Sequence, residues 1–353
     1  MAKYRVGLVG TGYWSDLHLQ SWTRAEKADL VALCNRSPEK LYRRAEQYNI
    51  AKEHCYPSID EMLAREKLDI VDIVTAPPSH AELVKKAAAA GKHIMCQKPF
   101  AYTLQEGKEM VEAGKKAGVR FMVLENWPFL NPFPKIKTMI DDGTLGKIRS
   151  VRYTHKSFFT PLLSDEVTPP QPYFRHMPQL LFTEMGSHWF ATFLHLFGKP
   201  RYITAEINTV SKYIKAEDNG VIILGYEDFI VILDCSWATR EFAVYPVYEK
   251  KIGNHWTEHL TVDGELRTVK LENVGQYKEC DGMLSLVNDE GKKQIMESLS
   301  FNQYEANYQT IKHFLECLDA GKPFYTEADW YLDVLRIIDA VYLSAKEHKR
   351  VSL

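Results

Sequence analysis

A short apolar strand that runs into a glycine turn is the feature of this sequence that most constrains its fold. Tyr4 to Val9 form the predicted strand, Gly10-Thr11-Gly12-Tyr13-Trp14-Ser15 the turn, and Asp16 to Thr23 a helix. In a G-x-G-x-x-G turn the first glycine permits the tight turn, and the second lets the backbone approach a pyrophosphate at the positive end of the helix. Ser15 replaces the third glycine and is small enough for strand and helix to pack closely. The turn predicts a dinucleotide-binding domain, with a plain glycine turn as the alternative.

The second predicted strand, Leu30 to Cys34, ends at Asn35-Arg36-Ser37. A dinucleotide-binding domain carries the residue that binds the adenosine ribose at this place. An acidic residue there would repel a 2′-phosphate, and Asn35 removes that repulsion. Arg36 and Ser37 supply hydrogen-bond donors for a phosphate. We therefore expect NADP, or both NADP and NAD, rather than NAD alone; the alternative is that Arg36 is a solvated loop cation.

Composition and charge narrow the class of protein. The chain has 353 residues and 45% hydrophobic content, enough for two domains and a sizeable core. A formal net charge of −2 gives no electrostatic signature of nucleic-acid or membrane binding. The six cysteines form no C-x-x-C pair and no metal-ligand spacing with histidine, so we expect reduced thiols and no metal site. No apolar stretch approaches about 18 residues and no signal-peptide pattern is present, so we expect a cytoplasmic protein.

The residues up to about Leu124 alternate between strand and helix patterns. Such alternation predicts a parallel sheet with helices on both faces. Further strands are predicted at Ile70 to Thr75, His93 to Cys96 and Val119 to Leu124. Helix starts are predicted at three capping boxes, Ser58 with Glu61, Ser79 with Glu82 and Thr103 with Glu106.

The pattern changes after residue 125. The segment 126–134 is rich in aromatic residues and proline, as expected for a crossover between domains. After a predicted helix at 135–142, the strands follow without regular helical crossovers, which predicts an open, largely antiparallel sheet. These strands are predicted at 148–158, 201–209, 221–226 and 229–238, with helices at 179–197, 304–320 and 327–346. We expect an α/β Rossmann domain over 1–125 and an α+β domain over 126–353, whose C-terminal helices are free to pack back on the Rossmann domain.

A lysine and a proline follow a predicted strand in Met95-Cys96-Gln97-Lys98-Pro99-Phe100. Ligands of open parallel sheets bind outside the carboxyl ends of the strands. Lys98 is therefore a candidate for contact with a reacting group. The alternative is an ordinary solvated lysine.

Five short motifs carry a resemblance to a known family. They are Gly10-Thr11-Gly12, Pro77-Pro78-Ser79-His80, Gln97-Lys98-Pro99, Glu184-Met185-Gly186-Ser187-His188 and Asp339-Ala340-Val341-Tyr342-Leu343-Ser344. In this order they resemble the Gfo/Idh/MocA oxidoreductases over nearly the whole chain. The resemblance implies a Rossmann domain, an open-sheet domain, a nicotinamide cofactor and usually a sugar or polyol substrate. It also implies a homodimer or homotetramer that assembles through the open sheet faces.

The resemblance also implies roles for individual residues. Lys98, Glu184 and His188 correspond to the family's catalytic positions, and Pro77 and His80 to a turn near the nicotinamide. The residues expected to bind the cofactor are Gly10, Gly12, Tyr13, Trp14, Asn35, Arg36, Ser37, Thr75, Pro77, His80, Gln97, Lys98 and Asn126. Those expected to bind the substrate are Lys98, Trp127, His155, Tyr173, Arg175, Glu184 and His188. For His80, a purely structural role at its helix end is the alternative.

The residue types suit the oxidation of a carbinol, which needs a hydride acceptor and a proton acceptor. A neutral His188 takes the hydroxyl proton, while Lys98 donates to the same oxygen and stabilises alkoxide character. In reduction the roles reverse. Glu184 lies four residues before His188, so we expect both on one helix face, with Glu184 orienting the imidazole or binding a second hydroxyl. The alternatives are a core histidine and a glutamate that only forms a helix-surface pair.

Three residues depart from the family pattern. Gln97 replaces the usual glutamate and removes an anion that would favour the charged form of Lys98. Glu184 replaces an aspartate, and Ala191 stands where many members carry an aspartate one turn beyond the histidine. The run Glu125-Asn126-Trp127 together with Gln97-Lys98-Pro99 is similar to a subgroup that includes dehydrogenases of less common sugars, such as branched pentoses or anhydrosugars.

The substrate itself is predicted only by class. Trp127, Phe129, Tyr173 and Phe174 are candidate platforms for a sugar ring, and Arg175 and His155 candidate readers of hydroxyls or a carboxylate; packing at the domain junction is the alternative for the aromatic residues. Two other functions stay open. One is a glycoside-modifying enzyme that oxidises its substrate transiently, eliminates the aglycone and returns the hydride. The other is a non-catalytic regulator that senses sugars or nucleotides, against which the presence of both Lys98 and His188 argues.

Overall fold

The structure is a computed structural model that describes residues 4–165, 171–239, 256–275, 282–288, 290–299 and 302–353. The chain divides into two compact units. The first comprises Met1–Phe129 and Gln303–Leu335, and the second Leu130–Asn302 and Arg336–Leu353. The domain boundary expected between residues 125 and 126 stays a prediction.

The described residues form ten helices and fifteen strands in chain order. The helices are α1 Ser15–Arg24, α2 Pro38–Gln47, α3 Ile59–Arg65, α4 His80–Ala89, α5 Leu104–Ala117, α6 Phe133–Asp141, α7 Leu181–Glu184, α8 Gly186–Phe197, α9 Gln303–Ala320 and α10 Ala328–Glu347. The strands are β1 Tyr4–Val9, β2 Ala28–Cys34, β3 Cys55–Tyr56, β4 Ile70–Ile73, β5 His93–Gln97, β6 Phe121–Leu124, β7 Ile148–Ser157, β8 Tyr202–Asn208, β9 Asn219–Gly225, β10 Ile230–Ser236, β11 Trp256–Gly264, β12 Thr268–Gly275, β13 Gly282–Val287, β14 Lys293–Leu299 and β15 Val351–Ser352. None of these helices is both long and apolar enough to cross a membrane.

The first unit contains a six-stranded parallel sheet in the order β3-β2-β1-β4-β5-β6. This is the Rossmann strand order, and the predicted fold is confirmed. The order reverses between β1 and β4, where ligands of such sheets bind outside the carboxyl ends of the strands. The turn after β1 and the run after β5 that carries Lys98 both lie at this edge of the sheet.

Side chains from both the strands and a late helix build the core of the first unit. Val6, Leu8 and Ile70 of the central strands are fully buried, as expected for parallel strands with helices on both faces. Ile311 and Phe314 of α9 belong to the same buried cluster. Residues near the C-terminal end of the chain thus complete the packing of a sheet whose strands lie within residues 4–124.

Two of the three predicted capping boxes begin helices as expected. Ser58 and Thr103 accept hydrogen bonds from the main-chain N–H groups three residues on, at the starts of α3 and α5. The prediction for Ser79 is wrong, because its side chain makes no capping bond at α4. Residues 77–79 form a turn of 3₁₀ helix, and the Ser79 hydroxyl bonds back to Thr75 Oγ1 at 2.7 Å.

The second unit contains a nine-stranded sheet in the order β14-β13-β12-β11-β7-β10-β9-β8-β15. All neighbouring strands are antiparallel except β7 and β10, so the prediction of an open, mostly antiparallel sheet is confirmed. Neither β11 to β14 nor β15 was predicted from the sequence patterns. Strand β12 shows the apolar–polar alternation that is typical of a strand with one exposed face, so its sequence does carry a strand signal.

Helix α8 covers one face of this sheet. Tyr153 of β7 packs against Trp189 and Phe193 of α8, with ring centroids 5.8 and 5.4 Å apart. Tyr153, Trp189 and Phe193 are all at most 2% exposed. The core of the second unit therefore lies between α8 and the central strands.

Candidate active site

The glycine turn after β1 has the geometry that a pyrophosphate needs. Gly10 has a φ of +104°, and a Cβ there would meet Val74 O at 2.4 Å, so only glycine fits. A Cβ on Gly12 would meet nothing within 4 Å, which leaves open space beside the backbone. The N-cap residue of α1 is Trp14, whose side chain makes no capping bond, and Ser15 Oγ donates to Gly12 O at 2.7 Å. The N–H groups of the first turn of α1 are thus available for an anion.

Tyr13 and Trp14 continue this turn. Tyr13 is 57% exposed, and its ring lies edge-on to the ring of Trp14 at 5.7 Å. Trp14 is partly buried, and its indole N–H is a buried donor that finds no acceptor among the described residues. A buried donor beside an open glycine fits a site for a phosphate-bearing cofactor.

The end of β2 shows how the expected ribose position is held. Asn35 Nδ2 donates to Thr11 Oγ1 at 2.6 Å, which ties this position to the glycine turn. Ser37 caps α2 by accepting from Lys40 N at 3.5 Å. Arg36 is exposed, and within the described part of the chain it makes no ion pair. An unshielded cation therefore stands next to the N-terminus of α2.

His80 connects the predicted nicotinamide turn to the segment that follows Lys98. Its ring nitrogens lie 3.0 Å from Thr75 O and 3.2 Å from Phe100 O. The side chain is fully buried, and burial lowers the pKa of His80 below 6.5. With its single N–H, a neutral imidazole donates to only one of these two carbonyls, and it lies beside the turn at Pro77, which is itself buried.

Gln97 and Lys98 are attached to a buried polar chain within the first unit. Gln97 Oε1 accepts the main-chain N–H of Lys98 at 2.7 Å, and Gln97 Nε2 lies 2.9 Å from His18 Nε2. His18 Nδ1 lies 2.8 Å from Asp72 Oδ2, which also accepts from Trp22 Nε1 at 2.7 Å. Lys98 is only 8% exposed, and His18 and Asp72 are fully buried. His18 and Asp72 were not among the predicted site residues, although an aspartate inside the apolar strand β4 is a signal for such a buried network.

Asn126 and Trp127 lie directly after β6. They are 8% and 1% exposed. Glu125 holds this segment, because its carboxylate accepts from Trp127 N at 3.1 Å and from the Tyr331 hydroxyl at 3.1 Å. Phe129 packs against Tyr325 with ring centroids 5.8 Å apart. In the structure, these aromatic residues therefore make packing contacts inside the first unit.

In the second unit, Glu184 and His188 belong to different helices. Helix α7 ends at Glu184 and α8 begins at Gly186, so the prediction of one shared helix is wrong. The N–H of His188 bonds to Met185 O at 3.0 Å rather than to Glu184 O. Ser187 Oγ donates to the Glu184 carbonyl oxygen at 2.9 Å. This side-chain hydrogen bond competes with the helical bond from His188 N–H to the same oxygen. Glu184 and His188 are nevertheless both buried, at 3% and 7% exposure.

Glu217 anchors the short helix that carries Glu184. Its carboxylate accepts from Leu180 N at 3.0 Å, Phe182 N at 3.1 Å and the Tyr342 hydroxyl at 2.5 Å. Burial raises the pKa of Glu217 above its usual 4.5, against the opposing effect of these hydrogen bonds. Tyr342 lies in the closing motif of the chain, so this motif and the Glu184 motif meet at one carboxylate.

His155 lies inside the sheet of the second unit. Nδ1 is 2.9 Å from Glu258 Oε1, and Nε2 accepts from Trp237 Nε1 at 3.2 Å. Burial lowers the pKa of His155 to about 3, with the positive charge of Lys156 acting in the same direction, and burial raises the pKa of Glu258 well above its usual 4.5. Both ring nitrogens that were expected to bind a substrate are engaged within this unit.

Tyr173 and Arg175 lie in a short 3₁₀ helix, Pro172–His176. Tyr173 OH accepts from Gln171 Nε2 at 2.8 Å. Arg175 Nε donates to Leu163 O at 2.8 Å, and its Nη2 donates to Ser164 O. The guanidinium therefore binds the main chain of a neighbouring loop.

Comparison with known proteins identifies the family. Residues 4–125 match the Gfo/Idh/MocA model described as "Oxidoreductase family, NAD-binding Rossmann fold", and residues 133–265 match the Gfo/Idh/MocA C-terminal domain. The chain belongs to the Gfo/Idh/MocA family. It is therefore an oxidoreductase with an NAD-binding Rossmann fold.

This Gfo/Idh/MocA protein has relatives along its whole length. It is 30% identical to a D-apiose dehydrogenase of Paraburkholderia graminis, over 99% of this chain and 90% of the relative. It is 28% identical to the scyllo-inositol 2-dehydrogenase (NADP(+)) of Bacillus subtilis, over 68% of this chain and 71% of that protein. A solved oxidoreductase from Agrobacterium radiobacter, in complex with NAD+, L-tartaric acid and magnesium, superposes with a TM-score of 0.85 at 25% identity, covering 99% of this chain and 98% of the other.

The family assignment agrees with the local chemistry of the first unit. The open space at Gly12 and the uncapped start of α1 fit the nicotinamide dinucleotide that the family binds. Within the described residues, no group of three or more histidine, cysteine, aspartate or glutamate side chains has the arrangement of a metal site. The roles of the individual site residues stay predictions.

Proposed function

We propose that this protein is an NAD(P)-dependent dehydrogenase or reductase of a sugar or polyol, which transfers a hydride between a carbinol carbon and nicotinamide. The observation that carries the proposal is the position of Lys98, just past β5 on the same sheet edge as the open glycine turn. A cationic donor at the edge where the cofactor binds suits the stabilisation of an alkoxide. The full-length similarity to D-apiose dehydrogenase supports a carbohydrate substrate.

In this proposal the two key side chains have complementary roles. The bound nicotinamide supplies the hydride acceptor. Lys98 donates a hydrogen bond to the carbinol oxygen and stabilises its growing negative charge, and His188 takes the proton. In the direction of reduction, His188 returns the proton. Glu184, buried at the end of α7, orients the imidazole or binds a second hydroxyl of the substrate.

A substrate panel tests the activity. Aldoses including D-apiose, polyols, inositols and anhydrosugars are incubated with NAD and with NADP, and reduced cofactor is measured by absorbance. We expect hydride transfer with at least one sugar or polyol. Lys98→Ala and His188→Ala should each lower turnover by at least about a hundredfold. The exposed Lys108→Ala and His348→Ala serve as matched controls and should stay near wild type. Near-normal turnover in folded Lys98→Ala or His188→Ala protein would remove that residue from the mechanism.

We propose NADP, or both NADP and NAD, as the cofactor. Support comes from Arg36, an exposed cation beside the N-terminus of α2, with an asparagine rather than an acid before it. Arg36→Ala should lower kcat/KM for NADP by about tenfold and leave kcat/KM for NAD within about threefold, since only NADP carries the 2′-phosphate. A wild-type preference for NAD above about tenfold would contradict this proposal.

We further propose that the protein forms a homodimer or homotetramer through the open face of the second sheet. On this face, opposite α8, Val221 and Ile230 are 42% and 36% exposed, and Ile223 and Ile232 form a cross-strand pair between them. Light scattering should give an oligomeric mass for the wild type, and Ile232→Asp should lower it because the charge would be buried at the interface.

The five described cysteines are free thiols, which supports our proposal of a cytoplasmic location.

A further inference from the structure

The buried polar chain behind Lys98 joins three separate elements of the first unit. His18 comes from α1, Asp72 from β4 and Gln97 from the end of β5. His18 and Asp72 have no exposed surface, and Gln97 is 9% exposed. The contacts run in sequence from Asp72 Oδ2 to His18 Nδ1 at 2.8 Å, from His18 Nε2 to Gln97 Nε2 at 2.9 Å, and from Gln97 Oε1 to Lys98 N at 2.7 Å.

The hydrogen-bond pattern defines the protonation of each member. The Lys98 N–H is a donor only, so the Gln97 atom that faces it is the carbonyl oxygen. The Gln97 amide N–H₂ group therefore points at His18 and donates to Nε2. Because Nε2 accepts, the single proton of the neutral imidazole is on Nδ1, where it is donated to Asp72. Each contact in the chain thus has one donor and one acceptor.

This pattern explains why glutamine precedes the lysine in this chain. A carboxylate at position 97 could accept from Lys98 N, but its second oxygen would face the lone pair of His18 Nε2. Two acceptors would then oppose each other in a buried site, which is unfavourable unless a proton is added. Gln97 and a neutral His18 are therefore matched partners.

We propose that His18 is a positioning residue: as the neutral Nδ1–H tautomer held by Asp72, it orients the Gln97 amide and so fixes the main chain at Lys98. The proposal rests on the proposed function in so far as Lys98 contacts the reacting oxygen. A shift of about 1 Å in a reacting group can cost about a hundredfold in rate, so a second hydrogen bond behind the lysine has a catalytic consequence.

Two substitutions at position 18 separate this role from a purely structural one. In His18→Gln the terminal amide lies near the place of Nε2 and can still accept from Gln97. In His18→Asn the amide lies near the place of Nδ1 and can only serve Asp72. We expect His18→Gln to keep kcat within about threefold of wild type and His18→Asn to lose at least about tenfold, with KM for the cofactor little changed in both. Both are assayed with the best substrate of the sugar and polyol panel, and their thermal unfolding is compared.

Two kinetic results would overturn the proposal. One is a His18→Asn variant with wild-type kcat, and the other is an equal loss in both variants that follows their loss of thermal stability. A readout independent of activity is the ¹⁵N spectrum of histidine-labelled protein, in which the resonance missing from His18→Gln should show the Nδ1–H tautomer; an Nε2–H tautomer contradicts the proposal. Lys98→Ala, assayed in parallel, distinguishes failure of the proposed function from failure of the proposed role of His18. Normal turnover in that variant rejects the role of Lys98, whereas the tautomer result tests the His18 chain by itself.

Discussion

Each unit of the protein contains a fully buried histidine with the same pair of contacts. In the first unit, His18 has Asp72 at Nδ1 and the Gln97 amide at Nε2. In the second, His155 has Glu258 at Nδ1 and the Trp237 indole N–H at Nε2. All of these contacts measure between 2.8 and 3.2 Å. In each case an N–H donor faces Nε2, so Nε2 accepts and the ring proton is assigned to Nδ1.

The two arrangements differ in the group that lies beyond the Nε2 donor. Gln97 passes the connection to the main chain of Lys98, just past β5. Trp237 instead packs in an apolar cluster, where its ring centroid lies 4.9 Å from that of Phe159 and 5.9 Å from that of Phe174. The same local chemistry thus supports the proposed catalytic lysine in one unit and links neighbouring strands of a sheet in the other. We therefore expect substitutions around His18 to lower both stability and turnover. Substitutions around His155 should lower stability alone.

The largest expected effect is loss of the carboxylate in the second unit. Glu258→Ala leaves the buried Nδ1–H of His155 without its acceptor and opens a cavity, so we expect the free energy of unfolding to fall by about 3 kcal/mol. Turnover of the folded fraction should not change. Urea unfolding and a turnover assay below the transition measure both.

Matched variants sharpen that result. Glu206→Ala, at an exposed position of β8 in the same sheet, should change stability by less than about 0.5 kcal/mol. Asp72→Ala in the first unit should also destabilise, but it should lower turnover as well, since it removes the acceptor that selects the tautomer of His18. Full turnover in Asp72→Ala would contradict the expectation that the hydrogen bonds of His18, unlike those of His155, affect turnover.

The pH dependence of stability gives a second test in the second unit. Burial lowers the pKa of His155 from 6.5 to about 3 and raises that of Glu258 well above 4.5. As pH falls from 6.5, the unfolded chain gains a proton on His155 that the folded chain does not gain. The contribution of His155 to the free energy of unfolding is therefore fully present above pH 6.5 and is lost as the pH falls towards 3. As pH rises from 4.5, the unfolded chain releases a proton from Glu258 that the folded chain keeps, so this contribution is lost on raising the pH.

Two variants separate these opposing slopes. Glu258→Gln keeps only the histidine contribution, and His155→Gln keeps only the glutamate contribution. Between pH 4.5 and 6.5, the free energy of unfolding should rise more steeply with pH in Glu258→Gln than in His155→Gln, by more than about 1 kcal/mol per pH unit. Urea titrations at about pH 4.5, 5.5 and 6.5 measure the slopes, and equal slopes would show that the pair does not titrate in this way.

The smallest expected effect comes from removing only the donor at Nε2. Trp237→Phe leaves His155 Nε2 without a hydrogen-bond donor and should cost about 1 kcal/mol of stability, with turnover unchanged. Gln97→Met removes the corresponding donor in the first unit together with the acceptor for Lys98 N, so it should also lower turnover by about tenfold. If both variants lose turnover equally, the distinction between a positioning and a sheet-stabilising histidine fails.

Local sequence signals were sufficient for much of the first unit. The apolar strand, the glycine turn and the caps at Ser58 and Thr103 depend on neighbours within a few residues, and the structure confirms them. The fold class and the family also followed from the sequence. For the site, Gly12 has open space beside it and Arg36 is exposed, while the roles predicted for the site residues stay predictions.

Other features depended on competition that no local pattern reveals. The helix expected at 179–197 is interrupted after Glu184, where the Ser187 hydroxyl donates to the Glu184 carbonyl oxygen in competition with the main-chain helical bond. The strands β11 to β14 were not predicted, although β12 alternates between apolar and polar residues; their pairing with one another is visible only in the structure. The Ser79 capping box failed because its hydroxyl bonds to Thr75 instead.

The sequence by itself determined the Rossmann opening, the change to an antiparallel sheet and the identity of Lys98 and His188 as candidates, because each rests on adjacent residues or on a motif. Only the tertiary structure decided which groups face the two nitrogens of each buried histidine. Their partners lie 54, 79 and 103 residues away along the chain, for His18 with Asp72, His18 with Gln97 and His155 with Glu258. Burial and hydrogen bonding set the state of a titratable side chain, and both arise only when distant segments pack together.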